Sequence, residues 1–245
     1  MTQRLDRRFI LAGLLSSPLA ACETIDPQIL DDILGAGGSG FGLTQADAAR
    51  GIRAALDKGI GTAVSTVGVA GGYFNDGQIR IPLPGDLQKA QNFLNQVGAG
   101  GLLNNLEGAL NRGAETAAPY AKSIFLDVIS GLTIADAINI VRGPSNAATQ
   151  YLSSRTMPKL VSLFSPIMTD ALQNTGALQL FDQMAGNLQG IPFAPQLGAD
   201  AKAGLIEHGI TKGLDGLFYY IGQQEAAIRA NPAERTSAIL RQVFG

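Results

Sequence analysis

The one cysteine of the chain, Cys22, closes the run Leu19-Ala20-Ala21-Cys22. Arg4, Arg7 and Arg8 stand upstream, followed by a short apolar run from Phe9 to Ala21. Basic, then apolar, then small residues before a cut is the layout of a secretory signal peptide. A thiol placed directly after two alanines can take a thioether-linked lipid, which makes Cys22 the candidate lipidation site. Each buried acyl CH₂ contributes roughly 0.8 kcal/mol, and a single chain anchors only marginally, so several chains on one cysteine are what holds. The apolar run itself is shorter than the about 20 residues that a spanning helix needs, and Ser16, Ser17 and Pro18 break it further.

Beyond Cys22 the sequence offers little reactive chemistry. His208 is the only histidine, so a metal site would rest on carboxylates alone, and no acidic loop or histidine pair supplies one. A hydrolase elbow of the Gly-x-Ser-x-Gly type, a P-loop and a dinucleotide-binding glycine fingerprint are all missing. No metal, cofactor or catalytic residue is assigned. Two polar groups remain. Asn111, Arg112 and Glu115 share a helix turn, with Arg112 and Glu115 three apart. Thr211, Lys212 and Asp215 lie further on, with Thr211 and Asp215 four apart. The expectation is one interhelical cluster in which Arg112 meets Asp215 and Glu115, serving either a ligand or the fold. An unpaired buried carboxylate would be costly, and the forked guanidinium of Arg112 matches one.

These residues must be positioned by helices. Ala49, Ile52, Leu56, Ile60, Ala63 and Val67 recur at three- and four-residue steps, behind a capping-box-like start at Thr44 and Asp47. A loop from Gly68 to Gly77 carries Tyr73 and Phe74. Ile79-Arg80-Ile81-Pro82-Leu83-Pro84 is the one extended segment, and its prolines deny it a central-strand role. Leu87, Ala90, Leu94 and Val97 mark a short helix, and Gly98 to Gly101 a turn. Leu103, Leu106, Leu110 and Ala114 mark a helix that Pro119 should bend or restart.

Ile124, Val128 and Leu132 continue the pattern, and Thr133 with Asp136 is a second capping box. Gly143-Pro144 stops that helix. Separate helices are expected over Ala147–Arg155, Leu160–Leu172 and Leu178–Leu188, then a proline-marked loop at Ile191–Pro195. The longest pattern runs from Asp200 to Arg229 through Ile206, Ile210, Leu214, Leu217 and Ile221. Gly209, Gly213 and Gly216 interrupt it, either to admit a neighbouring backbone or to floor a ligand groove. Asn231-Pro232 restarts the chain as a last helix with Ile239, Leu240 and Val243 inward. The fold class is therefore all-α: one multi-helix domain over 43–245, with one short extended Pro-rich segment. A signal peptide (1–21) and a lipidated, Gly-rich tether (22–42) precede it.

With 46% hydrophobic residues and a net charge of −2 over 245 residues, the chain can bury a core. It has no basic footprint for nucleic acid and no polybasic patch for anionic lipid. With Cys22 acylated, no disulfide forms.

The leader resembles the bacterial lipoprotein signal, and Arg7-Arg8 before Phe9-Ile10-Leu11 resembles the twin-arginine export pattern. Asp6 occupies the place where that pattern prefers Ser or Thr, so both export routes stay open. The resemblance implies a cell-envelope protein anchored in a membrane through Cys22 and facing the periplasm, the outer membrane being preferred to the inner. Asn111-Arg112-Gly113-Ala114-Glu115-Thr116-Ala117-Ala118-Pro119, Gly143-Pro144, Ala147-Ala148-Thr149-Gln150-Tyr151, Leu214-Asp215-Gly216-Leu217-Phe218, Ile228-Arg229-Ala230-Asn231-Pro232 and Val243-Phe244-Gly245 form an ordered set. As a set they resemble the bacterial domain of unknown function 4197, from about Leu43 onward. Gly113 departs from the usual Ala, and Gln223-Gln224 from the usual acidic pair before Glu225. The family carries no assigned activity. The leading expectation is a non-enzymatic binding or structural module whose protein partner is open. One alternative is a carrier of a small hydrophobic molecule, in a cavity lined by glycine-gapped helices and the Tyr73-Phe74 loop. The other is a hydrolase-type enzyme using Arg112, Glu115 and Asp215.

Overall fold

The computed structural model describes residues 45–188 and 201–230, apart from 97 and 99. The leader, Cys22, the tether, Thr44, Val97, the Ile191–Pro195 loop and the helix expected after Asn231 lie outside the described residues.

Seven helices are present among those residues: α1 Gln45–Val67, α2 Gly85–Gln96, α3 Gly101–Ser130, α4 Ile134–Arg142, α5 Ala147–Asn174, α6 Ala177–Leu188 and α7 Ala201–Ala230. They contain no strand, and the domain is all-α. The four long helices α1, α3, α5 and α7 pack around one core, with α3 against α5 the most extensive contact. Every residue of the α1 stripe is buried, from Ala49 to Val67. The α7 stripe of Ile210, Leu214, Leu217 and Ile221 is buried as well, while Ile206 is half-buried against the core.

Two expected helix restarts do not occur. Pro119 lies inside α3, and Pro158 and Pro166 lie inside α5, so 147–155 and 160–172 belong to one helix of 28 residues. A proline removes one helical hydrogen bond and crowds the carbonyl four residues earlier. All three rings face solvent, and Ser154 and Ser162, whose carbonyls lose their partners to Pro158 and Pro166, are exposed to water. Tertiary burial supplies the rest. Ala117, Ala118, Ala121 and Phe125 are fully buried on either side of Pro119. On α5 the buried residues Leu152, Thr156, Leu160, Phe164, Met168 and Leu172 fall at steps of four. At about 100° per residue such a stripe turns slowly around the helix. That lets α5 meet α4 early and α6 late while α3 and α7 cover its length.

The capping box before α4 is formed as expected. Thr133 Oγ1 accepts from the Asp136 amide, and the Asp136 carboxylate accepts from the Thr133 amide. The glycines of α7 admit close neighbours. A β-carbon at Gly209 would stand 2.7 Å from Leu110 Cδ2, and one at Gly216 would stand 2.6 Å from Tyr73 Cε1. Packing, not a ligand groove, accounts for these gaps.

Candidate functional site

The extended segment expected at 79–84 is a strap held between α3 and α7. Ile79, Ile81 and Leu83 point inward and are buried, while Arg80 is exposed. Two prolines keep this stretch from folding as helix, and no strand among the described residues pairs with it. Its backbone groups must therefore find side-chain partners.

A polar stripe on α3 supplies them. Asn104, Glu107, Asn111 and Glu115 recur at steps of three and four, which places them on one helix face. Asn111, fully buried, accepts from the Ile81 amide at 2.9 Å and donates through Nδ2 to the Ile81 carbonyl at 2.9 Å. It imitates the edge of a neighbouring strand. Glu115 Oε1 accepts from the amides of Tyr73 and Phe74 at 3.1 and 3.2 Å. Glu107 accepts from Arg80 Nε at 2.8 Å and from Gln91 Nε2 at 2.9 Å. Gln91 also donates to Asn104 Oδ1 at 2.9 Å. The Arg80 guanidinium lies 4.2 Å from the centre of the Phe74 ring, a cation–π contact.

From the other side α7 closes on the same strap. The Tyr73 hydroxyl donates to the Gly213 carbonyl at 2.6 Å. His208 Nε2 lies 2.9 Å from the Pro82 carbonyl and, since a carbonyl only accepts, it is the donor. The Tyr220 hydroxyl donates to the Asp76 carboxylate. That bond, with burial behind it, pushes the Tyr220 hydroxyl up to about 12. The same bond leads the causes that hold Asp76 below the usual carboxylate range. Burial, with Glu115 nearby, raises the Tyr73 hydroxyl far above its ordinary value.

Glu225 forms a second anchor, at the N-terminus of α5. Its carboxylate accepts from the amides of Ala148 and Thr149 at 3.0 and 2.9 Å and from the Thr149 hydroxyl at 2.7 Å. Arg229, one turn on, reaches the same group at 2.8 Å and the Ile140 carbonyl at 2.9 Å. Unpaired helix-terminal amides attract negative charge, and here the protein provides it. Among the described residues no three His, Cys, Asp or Glu side chains gather as a metal site.

The residues expected to converge do not all meet. Asn111 and Glu115 face the strap. Arg112, one residue round from Asn111, is exposed and folds back over Gly108. Thr211 and Asp215 are exposed on α7, and Asp215 pairs with Lys212 at 3.2 Å. Expecting Arg112 to pair with Asp215 and Glu115 is thus corrected. Burying Asn111 and Glu115 turns Arg112 outward, and burying Ile210 and Leu214 turns Thr211 and Asp215 outward. Tyr73, expected as a cavity wall, is fully buried in the core. Sequence reasoning missed Glu107, Asp76, Tyr220 and the role of Glu225. The signals present were the three- and four-residue spacing of Asn104, Glu107, Asn111 and Glu115, and the Glu225–Arg229 step of four.

No curated protein and no solved structure matches the chain. A family model described as protein of unknown function (DUF4197) matches residues 42–245. The chain, with its strapped α3–α7 core, belongs to that family.

Proposed function

We propose that this chain is an envelope lipoprotein, anchored through acylated Cys22, whose helical domain serves as a non-enzymatic structural or binding module facing the periplasm. The observation that carries the module reading is the use to which the buried carboxylates are put. Glu107, Glu115 and Glu225 accept from backbone amides or from side chains of the same chain, which is a holding role and not a poised one. The groups offered for a hydrolase are apart, with Arg112 and Asp215 turned to solvent. The anchor reading rests on Leu19-Ala20-Ala21-Cys22 and its basic, apolar leader. Among the described residues, no single helix is long and apolar enough to cross a membrane.

The carrier reading has a candidate place to act among the described residues. Where α1, α4, α5 and α7 meet, Ile52, Leu56, Ile140, Ile221 and Ile228 line an apolar cleft of about 30 Å³. A water needs about 10–15 Å³ by this measure, so an acyl chain would enter only by parting the helices.

The test is the mass of the mature N-terminal peptide together with membrane flotation. An acylated Cys22 and loss of flotation in Cys22→Ser are expected. An unmodified Cys22, or a Cys22→Ser protein that still floats, overturns the anchor. Retention of a lipid by the purified domain, with protection of the Ile52 and Ile228 side chains on binding, would replace the module reading with the carrier.

A further inference from the structure

A surface feature separate from the strap and from Cys22 lies between α3 and α5, where a cleft of about 510 Å³ opens. Small-molecule sites commonly span roughly 300–1,000 Å³. Thr116 and Tyr120, one turn apart on α3, form one wall. Leu163 and Ile167 of α5 are half-buried against the core and form an apolar floor. Asp170 and Asn174, four apart on α5 and both exposed, form the opposite rim.

Tyr120 is 60% exposed, more than any other large apolar side chain among the described residues. A ring of that size is usually covered, because aromatic side chains bring the largest gain on burial. The carboxylate of Asp170 has no ion pair or hydrogen bond among the described residues, whereas Asp76 and Asp136 are each bonded several times.

The lining selects a ligand class. It contains no cation, which disfavours phosphates and carboxylates. Its polar rim and its openness disfavour an acyl chain. A sugar ring presents one apolar C–H face and an edge of hydroxyls. The Tyr120 ring suits the face, and the Asp170 carboxylate, an acceptor, with the Asn174 amide, both donor and acceptor, suits the edge. We infer that the α3–α5 cleft binds a neutral oligosaccharide, with Tyr120 as its stacking platform and Asp170 and Asn174 as its hydroxyl partners. The side chains sit on two long helices that the core fixes, so the site is preformed.

The test is calorimetric titration of the full-length chain in detergent with tetrasaccharides of glucose and of N-acetylglucosamine. Saturable binding of at least one is expected, with little dependence on salt, since the ligand is uncharged. Tyr120→Ala should weaken it about tenfold or more, Asp170→Asn and Asn174→Ala should each weaken it, and Tyr120→Phe should retain it. All three positions, Tyr120, Asp170 and Asn174, are on the surface, so urea midpoints should match the parent. Tyr219→Ala, at another exposed aromatic, should change nothing. Binding of neither saccharide overturns the inference. So does saccharide binding that survives Tyr120→Ala. Salt-sensitive, Asp170-dependent binding of choline without either saccharide would overturn it in favour of a cation site.

Discussion

The side-chain amide of Asn111 bonds both the N–H and the C=O of Ile81, each at 2.9 Å. A side chain from a helix thereby completes the edge of an extended segment that pairs with no strand among the described residues. The same amide also donates to the Glu107 carbonyl one turn back, at 2.8 Å, which fixes its orientation. Asn111, with no exposure to solvent, thus couples strap and helix from within the core.

Replacing Asn111 by Ala should leave the Ile81 amide and carbonyl buried without partners. Each such group costs about 1–3 kcal/mol, so a loss of about 2–6 kcal/mol in urea unfolding is expected. Asn111→Asp should do no better at neutral pH, because its carboxylate cannot donate to the Ile81 carbonyl. A change below ~0.5 kcal/mol, the usual range for surface sites, would show that the strap does not depend on this residue.

Much of this architecture was legible because it follows from local periodicity. The stripes of α1, α3 and α7, the capping box at Thr133 and the extended reach of Ile79–Pro84 are all written in neighbouring residues. The restart expected at Pro119 and the gap expected between 155 and 160 do not form, because tertiary packing on both sides outweighs the hydrogen bond lost at Pro119 and at Pro158. The polar stripe was missed for a different reason. Its partners lie 30 residues away for Asn111 and about 42 for Glu115, and nothing local distinguishes a polar face that meets backbone from one that meets water. Arg112 and Asp215 looked equally suited to burial until the apolar residues beside them fixed the rotation of each helix.

Gly216→Ala is expected to destabilise the domain by about 1–3 kcal/mol, the usual range for overpacking. The new methyl would stand 2.6 Å from Tyr73 Cε1 and 3.0 Å from Ile79 Cβ, and Tyr73 is held by the Gly213 carbonyl and cannot swing away. Gly222→Ala on the same helix provides the contrast. Its nearest neighbour would be Thr149 Oγ1 at 3.7 Å, an ordinary contact, so helix propensity should dominate and stabilise by about 0.5–1 kcal/mol. Thermal unfolding of the two variants should move in opposite directions.

The Asp76–Tyr220 bond should give stability a pH dependence at both extremes. Tyr220 titrates in the folded protein near about 12, above its ordinary 10.0. Its contribution is complete below pH 10 and disappears as pH rises through about 12. Asp76 is shifted below its ordinary 3.8, so its contribution is complete above that value and disappears as pH falls through the lowered one. Tyr220→Phe removes the bond at every pH. The stability gap between parent and variant should therefore be widest from about pH 4 to pH 10 and narrow on either side. A gap that stays constant from pH 8 to pH 12 would show that the hydroxyl is not held by Asp76.

Glu225 should prove more sensitive to loss of charge than to loss of size. Glu225→Gln keeps the shape but offers one acceptor where the Ala148 amide, the Thr149 amide and the Thr149 hydroxyl need them. Its NH₂ group would face a donor, and Arg229 would lose the charge it now meets at 2.8 Å. Breaking a buried pair by removing one partner typically costs about 3–5 kcal/mol; with Arg229 keeping some exposure, the lower part of that range is expected. Amide exchange at Ala148 and Thr149 should quicken before the domain unfolds as a whole, since the first turn of α5 loses its acceptor. Arg229→Gln should also loosen α4, because the guanidinium holds the Ile140 carbonyl. In a double-mutant cycle the two substitutions should be clearly non-additive, as for residues that share one bond network. Additive effects would mean that Glu225 serves the α5 amides alone and that Arg229 contributes only through α4.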